Sequence, residues 1–142
     1  MAGRRDGERG SAAVEMALLA PMLGTLVLVV IFGGRLALAR QTVQASAADA
    51  ARAASVARTA DEAKRSATRF AEATLTNQGV TCASMSIEVD VDGFKQPPGT
   101  PANVAVDISC DVATADLSLP LPGTVRVTAT SSSQLDSFRG RR

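Results

Sequence analysis

Hydrophobic and polar positions change period twice along this chain. From Met16 to Gly34 there is no alternation: nineteen residues run without a charge, between Glu15 and Arg35. As a helix at about 1.5 Å per residue this run spans roughly 28 Å, close to the hydrocarbon thickness of a bilayer. It is apolar on every side, whereas a core helix in so small a protein is amphipathic. A helical period follows. Val43, Ala47, Ala50, Ala54 and Ala57 recur at alternating spacings of four and three, which makes one narrow face of small residues. Asp61 with Arg65 and Arg69 with Glu72 are spaced to pair on a helix surface, and Phe70 and Leu75 to anchor its last turns. Asn77-Gln78-Gly79 supplies the stop, with Gly79 suited to a left-handed cap. Only the Gly33-Gly34 pair lies between this helix and the apolar run. The pattern therefore predicts one continuous helix from about Ser11 to about Thr76, on the order of 100 Å long. Pro21 removes one backbone bond and should bend it.

Period two takes over after residue 79. Met85, Ile87, Val89 and Val91 alternate with Ser86, Glu88 and Asp90. Val104, Val106, Ile108, Cys110 and Val112 alternate with Ala105, Asp107, Ser109 and Asp111. Val125, Val127 and Ala129 alternate with Arg126, Thr128 and Thr130. Each run reads as a strand with one apolar face. Asp92-Gly93, Pro97-Pro98-Gly99 and the segment from Pro120 to Gly123 mark the connections. The expected fold is α+β: a long N-terminal helix, transmembrane in its first half, packed on a small three-stranded antiparallel sheet. The corresponding segments are 1–10, 11–35 (the span), 36–78 (the Ala-rich continuation), 79–131 (the sheet) and 132–142, a polar, flexible tail.

Cysteine usage changes the picture of the compartment. The chain has two, Cys82 and Cys110, both in the strand region. An even pair in a small domain with a thin core suggests a disulfide in an oxidising compartment, against the alternative of two buried free thiols. Closing such a loop contributes roughly 3 to 4 kcal/mol in the chain-entropy model. Parity constrains its geometry. With odd-numbered Ile87 and even-numbered Val106 on one face, paired residues have an odd sum, and Cys82 with Cys110 has an even one. Either Cys82 precedes the strand or a bulge shifts the phase.

Composition removes several functional classes. Net charge is +1, and there is no His, Trp or Tyr. A global field for nucleic acid is missing, and so are most stacking platforms. The usual general base and metal ligand is missing too. Glu88, Asp90, Asp92, Asp107 and Asp111 could offer oxygen ligands, but Asp92-Gly93 lacks the spacing of a calcium loop, and a solvated sheet face is the better reading. No nucleophile, base and orienter come together in the sequence, so an enzyme, a cofactor and a small-molecule substrate are not expected.

Three basic residues, Arg4, Arg5 and Arg9, precede the apolar run. As a secretory signal they would form the n-region, with cleavage after Ala39 at Ala37-Leu38-Ala39. The run is long for that role, and Arg35 interrupts it. Asp6 and Glu8 argue against a twin-arginine signal. A different pattern fits better: Gly10, then Ser11-Ala12-Ala13-Val14, then Glu15, then the apolar helix. This resembles the cleavage motif of type IV prepilins, whose short basic leader is removed after the glycine. More closely, "RGSAAVEMALLAPMLGTLVLVV" and the later "SAADAARAAS" resemble the TadE/TadF family of minor pilins of the tight-adherence branch. Pro21 matches that family's proline within the span. Ser11 departs from the phenylalanine of major pilins in another branch.

The resemblance implies a minor pilin or pseudopilin, anchored in the membrane with its N-terminus cytoplasmic and its C-terminal domain outside. Its implied partners are a prepilin peptidase cutting between Gly10 and Ser11, other pilin-like subunits, and the Tad assembly machinery. A carboxylate entering an apolar bundle is costly unless paired. Glu15 would meet the new terminal ammonium of a neighbouring subunit's Ser11, or that of its own chain, or remain in interfacial water. Ala13, Ala17, Ala20 and Gly24 would let helices approach closely. The rival readings are an uncleaved single-pass envelope protein with a small binding domain, and a soluble domain released after Ala39.

Overall fold

The computed structural model describes residues 6–97 and 99–136, with side chains from residue 13 onward. Helix α1 spans Asp6–Ser55 and α2 Ala60–Asn77; strands β1 (Cys82–Asp90), β2 (Asn103–Ala113) and β3 (Thr124–Gln134) follow, with a short 3₁₀ turn at Asp92–Lys95. The sheet is antiparallel in the order β1-β2-β3. The α+β architecture is the one the alternation predicts: a long N-terminal helix packed on three antiparallel strands.

The continuous helix is not what forms. The chain leaves α1 at Ser55 and starts α2 at Ala60, after four intervening residues. Two local devices make the break. Ser55 Oγ donates to the Arg52 carbonyl at 2.8 Å, which competes with helical bonding there. Thr59 is an N-cap in extended conformation (φ −129°, ψ 155°), and its hydroxyl accepts from Glu62 N at 3.2 Å. Glu62 reaches back to accept from Arg58 N at 3.0 Å, a variant of the reciprocal capping box. Asp61 and Glu62 place negative charge in the first turn, where the helix dipole favours it.

The larger reason is burial. Ala63, Ala67, Ala71 and Leu75 recur every four residues on α2 and are all buried. In a straight 100 Å helix that stripe would be left in water. Folding back lays it across the small-residue face of α1, where Val43, Ala47, Ala50 and Ala54 are fully buried and Ala57 nearly so. Buried Ser46 donates its hydroxyl to the Ala71 carbonyl at 3.0 Å, so its polar atom costs little. The end of α2 is as expected. Gly79 has φ +70°, its N–H reaches Thr76 O, and Val80 N–H reaches Leu75 O, which is a Schellman closure. Leu75 is buried there, while Phe70 stays outside under Arg69, 5.8 Å from ring centroid to guanidinium. Among the described residues the ion pairs are Asp92–Lys95 and Asp111–Arg126, not the two expected on α2.

Central strand β2 carries the core. Val104, Val106, Ile108, Cys110 and Val112 are all buried, facing α1. Across from them β3 contributes Val127 and Ala129. β3 runs on to Gln134, and buried Leu135 bonds through its N–H to Ala102 O at 2.8 Å. The sheet therefore extends beyond the boundary expected at residue 131: Ser131 and Ser133 sit opposite Val106 and Val104. β1 is an edge strand and shallower, with Ile87 and Val89 half-buried and Met85 exposed. In the turn after it, a Cβ on Gly93 would come within 2.2 Å of the Asn103 carbonyl oxygen, so only glycine fits.

The parity argument is resolved by a bulge. Ile87 pairs with Ile108 and Ser84 with Asp111, but Cys82 pairs with Val112, and the register shifts between Cys82 and Ser84. Cys82 thus lies diagonally to Cys110, and the two form a disulfide with Cα atoms 5.3 Å apart.

Candidate membrane-anchoring and assembly site

Below the head, α1 stands alone. Val14, Met16, Leu18, Met22, Leu23 and Val30 are each more than 60% exposed, and the most apolar stretch of the helix has none of its residues covered by the chain. A core helix of a soluble protein is covered by its own fold, and this one is not. By length and composition it is a candidate membrane span. Cover begins at Phe32 and Leu36, which pack half-buried against the head's core, and is complete at Ala39.

Gly10 and Ser11 fall in the first turns of α1, and their side chains lie outside the described residues. Glu15 is exposed on the helix just before the charge-free run, and its carboxylate has no partner among the described residues. Pro21 lies inside α1, which continues through it. Thr25, which sequence reasoning passed over, donates its hydroxyl to the Pro21 carbonyl at 2.8 Å, a back-bond of the kind that lets threonine sit in an apolar helix. Arg35, at the end of the run, donates to the Asp116 carbonyl in the β2–β3 loop at 3.0 Å. No sequence signal pointed to that contact, because its partners are far apart in the chain.

The structure does not bring all the singled-out residues together. Glu15 and Pro21 belong to the exposed helix, Cys82 and Cys110 to the head. Of the acidic residues singled out, Glu88 is exposed, Asp90 accepts from Asp92 N at 2.9 Å, and the other three are engaged by neighbouring side chains. Asp111 accepts from Arg126 Nε at 2.8 Å, from Arg126 Nη2 at 2.9 Å and from Ser84 Oγ at 2.6 Å, which ties all three strands. The Arg126 bonds foremost, then that of Ser84, hold the Asp111 carboxyl down to about 2. Asp107 takes the Thr130 hydroxyl, and Asp92 takes Lys95 Nζ at 2.6 Å. Among the described residues no group of three or more His, Cys, Asp or Glu is placed to hold a metal ion.

A single uncovered apolar helix, carrying a small disulfide-closed α+β head, defines a protein compatible with single-pass membrane anchorage. Residues 10–52 match the family model described as TadE-like protein. The match starts at Gly10 and takes in Glu15, the whole apolar run and the first Ala-rich turns, and it is the family that this segment resembles on its motifs. It points to a Tad pilus-associated protein. No curated protein and no solved structure matches the chain.

Proposed function

We propose that this chain is a minor pilin or pseudopilin-like structural subunit that takes part in assembling a Tad-type type IV pilus. A membrane-embedded prepilin peptidase removes residues 1–10, and Ser11 becomes the mature terminus. The head stays on the extracytoplasmic side, where a disulfide persists. The mature helix then leaves the bilayer for a bundle of similar helices, alongside other pilin-like subunits and the Tad machinery.

The observation that carries the reading is the coincidence of two facts at one place. The TadE-like match begins at Gly10, and the apolar stretch of helix behind it is left uncovered as far as Phe32, with Glu15 unpartnered among the described residues. An uncovered apolar helix needs lipid or other helices, and a carboxylate at its edge needs a cation once the bundle excludes water. The terminal ammonium of a neighbouring Ser11 supplies it, and staggers the subunits by about one step.

Glu15→Val tests this. Membrane insertion should persist, since one charge leaves an apolar helix. Association should fail, because an ammonium left unpaired in a low-dielectric bundle costs several kcal/mol. Cross-linking of the mature protein to pilus partners in native membranes reads the outcome. Equal cross-linking with and without the substitution, with pili of normal number and length, would reduce Glu15 to an interfacial carboxylate.

A further inference from the structure

The connection between β2 and β3, residues 114–123, reads Thr-Ala-Asp-Leu-Ser-Leu-Pro-Leu-Pro-Gly. It has one ionisable residue, Asp116, and none from Leu117 to Gly123. Its place in the fold is set by Arg35, whose guanidinium holds the Asp116 carbonyl at 3.0 Å. Arg35 is the first charged residue after the apolar run, so the loop lies level with the end of the candidate span. Phe32, inside the run and about 4.5 Å lower along the helix axis, already packs against the head's core. The head is therefore not carried clear of the membrane on a stalk. It overlaps the last turn of the span.

The loop presents an apolar, exposed tip on a hydrogen-bonded base. Leu117 turns inward and is buried, while Leu121 at the tip is 60% exposed between Pro120 and Pro122. The backbone at the base of the loop is closed through Thr114. Its carbonyl accepts from Leu117 N and Leu119 N, its N–H reaches Gly123 O, and its hydroxyl bonds the Gly123 and Leu121 carbonyls. Asp116 N bonds Ala113 O, Ser118 N bonds Ala115 O, and the Asp116 carbonyl is taken by Arg35. The two prolines have no N–H to satisfy. This closure satisfies the base of the loop, whereas the Leu121 N–H and the Leu119, Pro120 and Pro122 carbonyls have no bond among the described residues. They limit the tip to the depth where water still reaches them, since an unpaired backbone group in hydrocarbon costs several kcal/mol.

We propose that the tip of this loop, Leu119 to Pro122, inserts into the boundary between headgroups and acyl chains of the leaflet on the head's side, as a second membrane contact beside α1. With Asp116 as its sole ionisable group, the loop needs no anionic lipid. The contact fixes the tilt of the head on the bilayer and must be withdrawn when the subunit leaves the membrane. It rests on α1 being a membrane span, and the test separates the two.

The chain has no tryptophan, so single substitutions report depth without background. Leu121→Trp, Leu26→Trp in mid-span, and Phe94→Trp at the opposite end of the sheet are each reconstituted as full chains in phosphatidylcholine nanodiscs. Quenching is read with lipids brominated near the top or near the end of the acyl chain. The expected result is loss of Leu26→Trp emission with the deep label, and of Leu121→Trp emission with the shallow label, together with a blue shift of the latter. Phe94→Trp should be quenched by neither. If Leu26→Trp is quenched but Leu121→Trp behaves as Phe94→Trp does, the loop contact is overturned and the span stands. If Leu26→Trp itself escapes quenching, the span fails and the proposal falls with it.

Discussion

Reducing the Cys82–Cys110 bond should loosen one strand in particular. The bond closes a loop with a sequence separation of 28 residues. The chain-entropy model then gives about 3.5 kcal/mol, roughly a three-hundred-fold change in the folding equilibrium. The figure matters because the rest of the core is thin. Most buried residues of α1 and α2 are alanines, each removing little apolar surface from water, and β1 contributes only half-buried side chains. β1 is held by its ladder to β2 and by the disulfide at its start. β2 and β3 are held independently by α1. Reduction leaves both sulfurs in place, so it avoids the cavity that truncating fully buried Cys110 would open. Two readouts follow, both on the full chain in micelles. The urea midpoint of head unfolding should fall by the amount that about 3.5 kcal/mol predicts through the measured slope. Amide exchange should accelerate first over Cys82–Asp90, with β2–β3 bonds still protected. An unchanged midpoint, or exchange rising equally in all three strands, would refute the reasoning.

Thr59→Ala removes the hydroxyl that accepts from Glu62 N, and should cost about 1 kcal/mol, with Thr59→Ser restoring most of it; urea denaturation measures both. Asp111, depressed to about 2, contributes stability that is complete above its ordinary value of 3.8 and is lost as pH falls through about 2. Its carboxyl resonance should titrate in that low range, and Arg126→Gln should return it toward 3.8; identical midpoints in the two proteins would mean that the Arg126 bonds do not set it.

Much of this architecture could be read from residue order, and the failures have physical causes. The uncovered apolar helix, the three alternating strands and the Gly79 stop each rest on local patterns that tertiary packing had no reason to override. The even sum of Cys82 and Cys110 required a bulge or an early cysteine, and the bulge between Cys82 and Ser84 is what the strand uses. The break at Ser55 was missed because the segment to Thr59 holds neither glycine nor proline. A signal was present in Thr59-Ala60-Asp61-Glu62, the Thr-x-x-Glu spacing of a capping box, and in the second alanine stripe, which a straight helix could not bury. The end of β3 was hidden by Ser131-Ser132-Ser133: three identical polar residues show no alternation, although Ser131 and Ser133 are half-buried and Ser132 is exposed. Arg35 and Asp116 stand 81 residues apart, and only the fold brings them together.

Assembly as a pilin-like subunit requires maturation between Gly10 and Ser11, and the N-terminal residue of the chain recovered from membranes of peptidase-containing cells reports it. Gly10→Leu puts a bulky side chain at the scissile bond, so that variant should keep its leader. For the unaltered chain, intact mass and stepwise N-terminal degradation should give Ser11. Met1 or Ala2 would contradict processing and leave an uncleaved single-pass envelope protein, and Arg40 would mean a soluble head released from its span.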